Sequence, residues 1–124
     1  MNNPILIKSL TAEADIAAFR IVKPGANDGG AIQGAASTDA LIGVANQLGA
    51  VSGGRVEVVV SGIFEVQYGG AVTRGDLLTS DVDGKAISAA PGAGVNARVI
   101  GVAMVSGVAD DIGSLLISPG RIQG

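Results

Sequence analysis

The 124-residue chain contains no cysteine, no histidine and no tryptophan, and each absence removes a class of chemistry. Without cysteine there is no disulfide, no thiolate nucleophile and no thiolate metal site. Without histidine the commonest general base near neutral pH and the commonest metal ligand are both missing. Ser9, Ser52, Ser61 and Ser106 therefore have no imidazole to activate them. Aromatic residues are 2% of the chain, and Phe19, Phe64 and Tyr68 are its only rings. Charged residues are 15%, the net charge is −3, and the eight basic side chains are scattered along the sequence. That balance argues against a surface held on phosphates, so no nucleic-acid partner is expected. The longest apolar stretch near the start, Ile5-Leu6-Ile7, falls far short of the roughly 18 residues of a membrane span, and the N-terminus lacks a signal peptide's basic-then-apolar form. No membrane partner and no cofactor are expected.

What is present is 48% hydrophobic residues and 20 glycines. A core with almost no rings must be tiled from Val, Ile, Leu and Ala, which suits thin β-layers. Arg55-Val56-Glu57-Val58-Val59-Val60 alternates, with Val56, Val58 and Val60 on one face, and after a break at Ser61-Gly62 the alternation resumes with Phe64, Val66 and Tyr68 inward. Val99 and Ile117 join the expected core. Leu77-Leu78-Thr79 and Ala86-Ile87-Ser88 flank Asp83-Gly84, the signature of a hairpin, and Asn27-Asp28-Gly29-Gly30 marks a corresponding turn earlier on. Short strands between Gly-rich turns predict an all-β fold, a small β-barrel or β-sandwich. Thr11 to Ala18, rich in Ala and Glu, has helical propensity, and helix and strand both stay open there.

The chain also nearly repeats itself. Leu41-Ile42-Gly43-Val44-Ala45 returns as Val99-Ile100-Gly101-Val102-Ala103, and an offset of 58 that relates Gly43 to Gly101 also relates Gly62 to Gly120. This predicts two copies of one unit, at about 19–62 and 77–120, inside a single β domain spanning 11–124. Residues 1–10 lie outside both copies and are expected to form an extended N-terminal arm, disordered in the free protein, the alternative being that they are simply the first strand of the domain itself. Its Asn2, Asn3, Pro4, Ile5, Leu6 and Ile7 are the candidate partner-binding residues, because a loose tail has no use for three consecutive large apolar side chains.

Other motifs read as turns. Asp81-Val82-Asp83-Gly84 resembles the opening of a calcium loop but lacks the Glu that would complete the shell. Adjacent carboxylates such as Asp110-Asp111 point apart on extended backbone, Gly53-Gly54 and Gly69-Gly70 precede no helix with Lys and Ser or Thr, and Arg74-Gly75-Asp76 enters an apolar strand. No catalytic residue is expected.

Four segments in order, Ile42-Gly43-Val44-Ala45, Gly62-Ile63-Phe64-Glu65-Val66, Gly75-Asp76-Leu77-Leu78 and Ile100-Gly101-Val102-Ala103, resemble the capsid cement, or head decoration, proteins of tailed phages. In the first copy Ala18-Phe19 occupies the slot where that family commonly has Gly-Asp. The resemblance implies a non-enzymatic virion protein, made in the host cytoplasm and placed on the outer surface of the capsid. It implies a homotrimer at three-fold or quasi-three-fold positions that locks neighbouring copies of the major capsid protein together. Two other readings compete with it: another virion β-module from a tail or spike, or a trimeric β-barrel hydrolase of the dUTPase kind. The hydrolase would need an aromatic platform, an Asp base and a phosphate loop in set order, and only Tyr68 and scattered Asp residues offer themselves.

Overall fold

The computed structural model describes residues 2–124, and every regular element in it is a β-strand. The strands are β1 (Asn3–Ala12), β2 (Ile21–Pro24), β3 (Gly30–Gln33), β4 (Gly43–Ala45), β5 (Arg55–Gln67), β6 (Leu77–Ser80), β7 (Ala86–Ser88), β8 (Asn96–Ala103) and β9 (Ile112–Gln123). The stretch from Glu13 to Ala18 is irregular. Its Ile16 is buried and exchanges backbone hydrogen bonds with Ala50, while the Glu13 carboxylate accepts from the Ala26 and Asn27 amides, so tertiary partners override the local helical propensity.

The pairings run in a circle. β1 pairs with β3 in parallel, β3 with β2, β2 with β4, β4 with β5, and β5 returns antiparallel to β1. The second half follows the same order, with the C-terminal part of β5 in the place of β1. β5 pairs with β9, β9 with β8, β8 with β6 and β6 with β7, and a parallel bridge from Tyr68 to Ala86 leads back to the end of β5. Corresponding backbone bonds recur in detail: the Phe19 amide donates to Ala45 as that of Gly75 does to Ala103, and the Ala12 amide to Gly54 as that of Tyr68 does to Asp111.

These correspondences extend the repeating pattern beyond the sequence match. β1 occupies in the first half the place that late β5 holds in the second, so residues 3–10 complete a five-strand ring instead of standing apart as a disordered arm. The offset also drifts, from 56 between Ile21 and Leu77, which hold matching positions opposite Val44 and Val102, to 58 between Gly43 and Gly101. Phe19-Arg20, not Ala18-Phe19, thus stands where the second half has Gly75-Asp76. Phe19 keeps the positive φ of that position (60°, against 94° at Gly75) although it is a bulky residue, and its ring packs 6.0 Å from that of Phe64.

β5 serves both rings by changing face. Val56 and Val58 point into one core cluster with Ala12, Ile16, Val22, Ala31 and Ala45, whereas Val59, Phe64 and Val66 point into the other with Tyr68, Leu78, Ile100, Leu115 and Ile117. Residues inward in the second cluster shift from odd to even number between Val59 and Phe64, and Gly62 sits at that change with φ of 98° and a register shift opposite Pro4 and Leu6. Val60 is consequently half-buried beside the first cluster instead of fully buried, while Val56, Val58, Phe64, Val66, Val99 and Ile117 are core. A Cβ at Gly62 would lie 2.5 Å from the Asn3 carbonyl oxygen and 2.7 Å from the Ile5 nitrogen.

The two interiors solve one volume problem differently. Where the first has Ala12 beside Ala50 and Val56, the second has Tyr68 beside Gly107 and Gly113, and a Cβ on Gly113 would reach within 2.3 Å of the Tyr68 ring. The buried Tyr68 hydroxyl donates to the Val105 carbonyl at 2.7 Å. Burial, with the Asp111 and Asp76 carboxylates adding to it, raises the Tyr68 pKa.

Two outcomes follow from these packings. Gly62→Val adds left-handed strain to a backbone clash and should lower stability by about 3 kcal/mol or more in denaturant melts, beyond the loss at an unstrained strand glycine. Because Tyr68 is the only tyrosine and tryptophan is absent, ultraviolet absorbance follows its ionisation alone. Its folded pKa is raised, so its contribution to stability is complete below about pH 10 and lost as pH rises through the folded pKa. The absorbance midpoint should fall above that of the unfolded chain in denaturant, and Tyr68→Phe should remove that part of the alkaline destabilisation.

Candidate functional site

Three surfaces meet the requirement that a functional group be accessible. The first is β1. Pro4 lacks a backbone N–H and begins an extended segment whose following Ile5, Leu6 and Ile7 are 76%, 54% and 48% exposed. Asn2 reaches Glu65 through its side-chain amide, which donates to Oε1 at 2.9 Å, and Asn3 lies opposite Ile63. β1 thus places Asn2 to Ile7 along one side of β5, while over Asn3 to Leu10 no strand among the described residues pairs with its other edge; β3 joins only at Thr11 and Ala12.

The second surface escaped the sequence reading. Ile63 on β5, Leu116 on β9, Val102 on β8 and Leu77 on β6 are successive cross-strand neighbours, so their side chains form one row on one face of the sheet. Leu116 and Leu77 are 41% and 37% exposed, and Ile63 and Val102 half-buried. The matching row in the first half is Ile7, Val59, Val44 and Ile21, of which the last three are fully buried in the larger core cluster. Gly43 and Gly101 mark the same joint in both rows, since a Cβ there would meet the Val59 and Leu116 carbonyl oxygens at 2.5 and 2.0 Å. The four-residue repeat around these glycines is the signal that would have located the row.

The third surface is a pair of shallow clefts around Arg98 and Arg121.

The carboxylates are occupied in building turns. Asp81 accepts from the amides of Asp83 and Lys85, Asp76 from Thr73, and Asp111 from Val108. The second hairpin turn also joins the halves: the Asp83 carbonyl accepts from Arg20 and from Gln33. The pKa of Glu13 is lowered by the Ala26 and then the Asn27 amide. Burial raises that of Asp39, but the Lys23 ammonium 2.9 Å away and the Ala35 and Ala36 amides outweigh it and lower the pKa. Lys85, 2.7 Å from Asp110, lowers that of Asp110. A general acid or base at neutral pH needs a carboxylate shifted upward, the opposite direction. Among the described residues no group of three or more Asp or Glu converges as a metal site.

The fold is all-β, with exposed apolar side chains on β1 and along the row from Ile63 to Leu77. The chain belongs to the phage cement protein family, whose profile matches residues 2–115. The head fiber gp8.5 N base of bacteriophage phi29, known from its crystal structure, is similar in fold, with a TM-score of 0.69 at 20% identity, covering 96% of this chain and 98% of that one. No curated protein matches the chain. Its role is therefore structural, in capsid decoration.

The row makes a contrast that a pair of variants can measure. Val59→Asp places an unpaired charge in a fully buried position and should cost upward of about 4 kcal/mol, whereas Leu116→Asp at the matching exposed position should change stability by less than about 1 kcal/mol in the same denaturant melts.

Proposed function

We propose that this cement protein binds the outer surface of the capsid through β1, with Asn2, Asn3, Pro4, Ile5, Leu6 and Ile7 contacting the major capsid protein, and that it does so as a homotrimer without enzymatic activity. The observation that carries the reading is the unpaired edge of β1 together with its exposed side chains. An open apolar edge strand is a template for a further strand; Pro4 and the register shifts between Pro4 and Ile7 blunt this edge in part, and what supports the reading is its shortage of charge. Here Lys8 is the only charge between Asn2 and Leu10. Strand addition supplies backbone hydrogen bonds, and each fully buried Ile or Leu adds about 1.5–3 kcal/mol before ordering costs. The apolar row from Ile63 to Leu77 begins opposite Asn3 and supports a second contact, between copies of the chain. A protein that holds only the assembled shell stabilises it by mass action. The downward-shifted carboxylates and the lack of histidine support the non-enzymatic reading.

Deleting the arm would also remove a strand of the first ring, so side-chain variants are the better test. Ile5→Lys with Leu6→Lys should leave the melting temperature within a few degrees of the parent and weaken co-sedimentation with undecorated heads by about tenfold or more. Parent-like decoration by that variant would place the capsid contact elsewhere. Sedimentation equilibrium of the free protein reports the trimer, and release of pyrophosphate from dUTP by the pure protein would defeat the non-enzymatic reading.

A further inference from the structure

We infer that Arg98 and Arg121 form a binding site for a carboxylate presented by an acidic segment of a partner protein, distinct from the edge of β1. The two residues lie directly opposite each other on the antiparallel strands β8 and β9, so their side chains leave the sheet on the same face as immediate neighbours. Like charges in that relation destabilise a sheet, and the usual remedy is an acidic residue beside them. None is present: no ion pair or side-chain hydrogen bond engages either guanidinium among the described residues. Asp39, next in sequence to Thr38 at the cleft wall, is bound to Lys23 and to the Ala35 and Ala36 amides.

The surroundings suit a ligand. Both clefts are lined by Arg98 and Arg121; Thr38 and Asn96 add hydrogen-bonding groups to one, and Leu41 and Pro119 an apolar wall to the other. The position is held firmly, since the Arg98 amide donates to the Ser37 carbonyl at 2.7 Å and β8 and β9 pair from Asn96 to Val99 without interruption. Two planar guanidinium groups carried on directly opposed residues of adjacent strands suit the two oxygens of a carboxylate, which accept parallel charge-assisted bonds. A phosphate has similar geometry, but a polyphosphate chain would meet a protein of net charge −3 whose other cations are scattered. An acidic peptide brings one or two charges and apolar atoms that suit Leu41 and Pro119.

The probe is a capped tetrapeptide with adjacent aspartate and glutamate, titrated into the ¹⁵N-labelled full chain at low salt, beside its asparagine–glutamine isostere, inorganic phosphate and a DNA duplex. The acidic peptide should shift the amide signals of Thr38, Asn96, Arg98 and Arg121 and the arginine side-chain signals, and the isostere should not. Arg98→Glu supplies the missing counter-charge from within; it should weaken peptide binding by about tenfold or more and raise the melting temperature. Arg121→Gln gives an independent variant with the same loss of binding and no new ion pair. Equal shifts from peptide and isostere, unchanged binding in both variants, or preference of the site for phosphate or DNA would overturn the assignment. A lower melting temperature in both variants would overturn its premise that the unpaired charges cost stability. Because Ile5 and Leu6 are untouched, head binding through β1 succeeds or fails independently.

Discussion

β5 is a wall of both rings, and it can be so only because its backbone reverses its faces at Gly62. Before that glycine the even-numbered valines fill the first interior; after it Phe64 and Val66 fill the second. The reversal needs one residue with positive φ and no side chain, because β1 presses its own backbone against that point. If the strand continued in phase, Ile63 and Glu65 would turn into the second core and Phe64 and Val66 out to solvent, a shift of every side chain to the wrong face. The pairing of β1 with β5, the pairing of β5 with β9 and the separation of the two cores all follow from this one position.

The halves have diverged while keeping their backbone pairings, and the divergence is compensated locally. Tyr68 is accommodated because Gly107 and Gly113 withdraw where Ala50 and Val56 stand in the other half. At a position of positive φ, Gly75 in one half faces Phe19 in the other, where the ring's contact with Phe64 offsets backbone strain of about 1–3 kcal/mol. Asp110 likewise adopts a positive φ, at the turn where the first half has Gly53. Packing is conserved as a sum over neighbours rather than residue by residue, as expected of interiors at crystalline density.

This explains what was legible in the sequence. Alternation in Val56 to Val60 and in Phe64 to Tyr68, the Asp83-Gly84 hairpin and the glycines Gly43 and Gly101 are local signals, and strands, turn and joint follow from them. The kinship of β1 with late β5 lies in pairing more than in residues: Ile7 answers Ile63, but Ala12 answers Tyr68 and Leu10 answers Val66, so a single identity does not expose it. The arm therefore reads from sequence as lying outside the repeat, although Ile5, Leu6 and Ile7 are three consecutive large apolar residues. A fixed offset of 58 also misplaces Phe19, since the second half has one residue fewer than the first within its hairpin (Val22 to Gln33, Leu78 to Ser88) and three more between the hairpin and its glycine (Gly43, Gly101). The apolar row and the arginine pair required cross-strand register, which alternation leaves undetermined.

Exposure differs between the halves for a reason that bears on assembly. Ile21, Val44 and Val59 are buried in the cluster that the second half of the chain completes, while Leu77 and Leu116 in the matching places of the second half are exposed and Val102 is half-buried. β1 likewise lacks a neighbour on one edge over Asn3 to Leu10 among the described residues. A duplicated unit satisfies its inner surfaces internally and leaves its two terminal surfaces unsatisfied, one an edge and one a face. In a small protein with few charges to mask such surfaces, they are where binding to other chains contributes most.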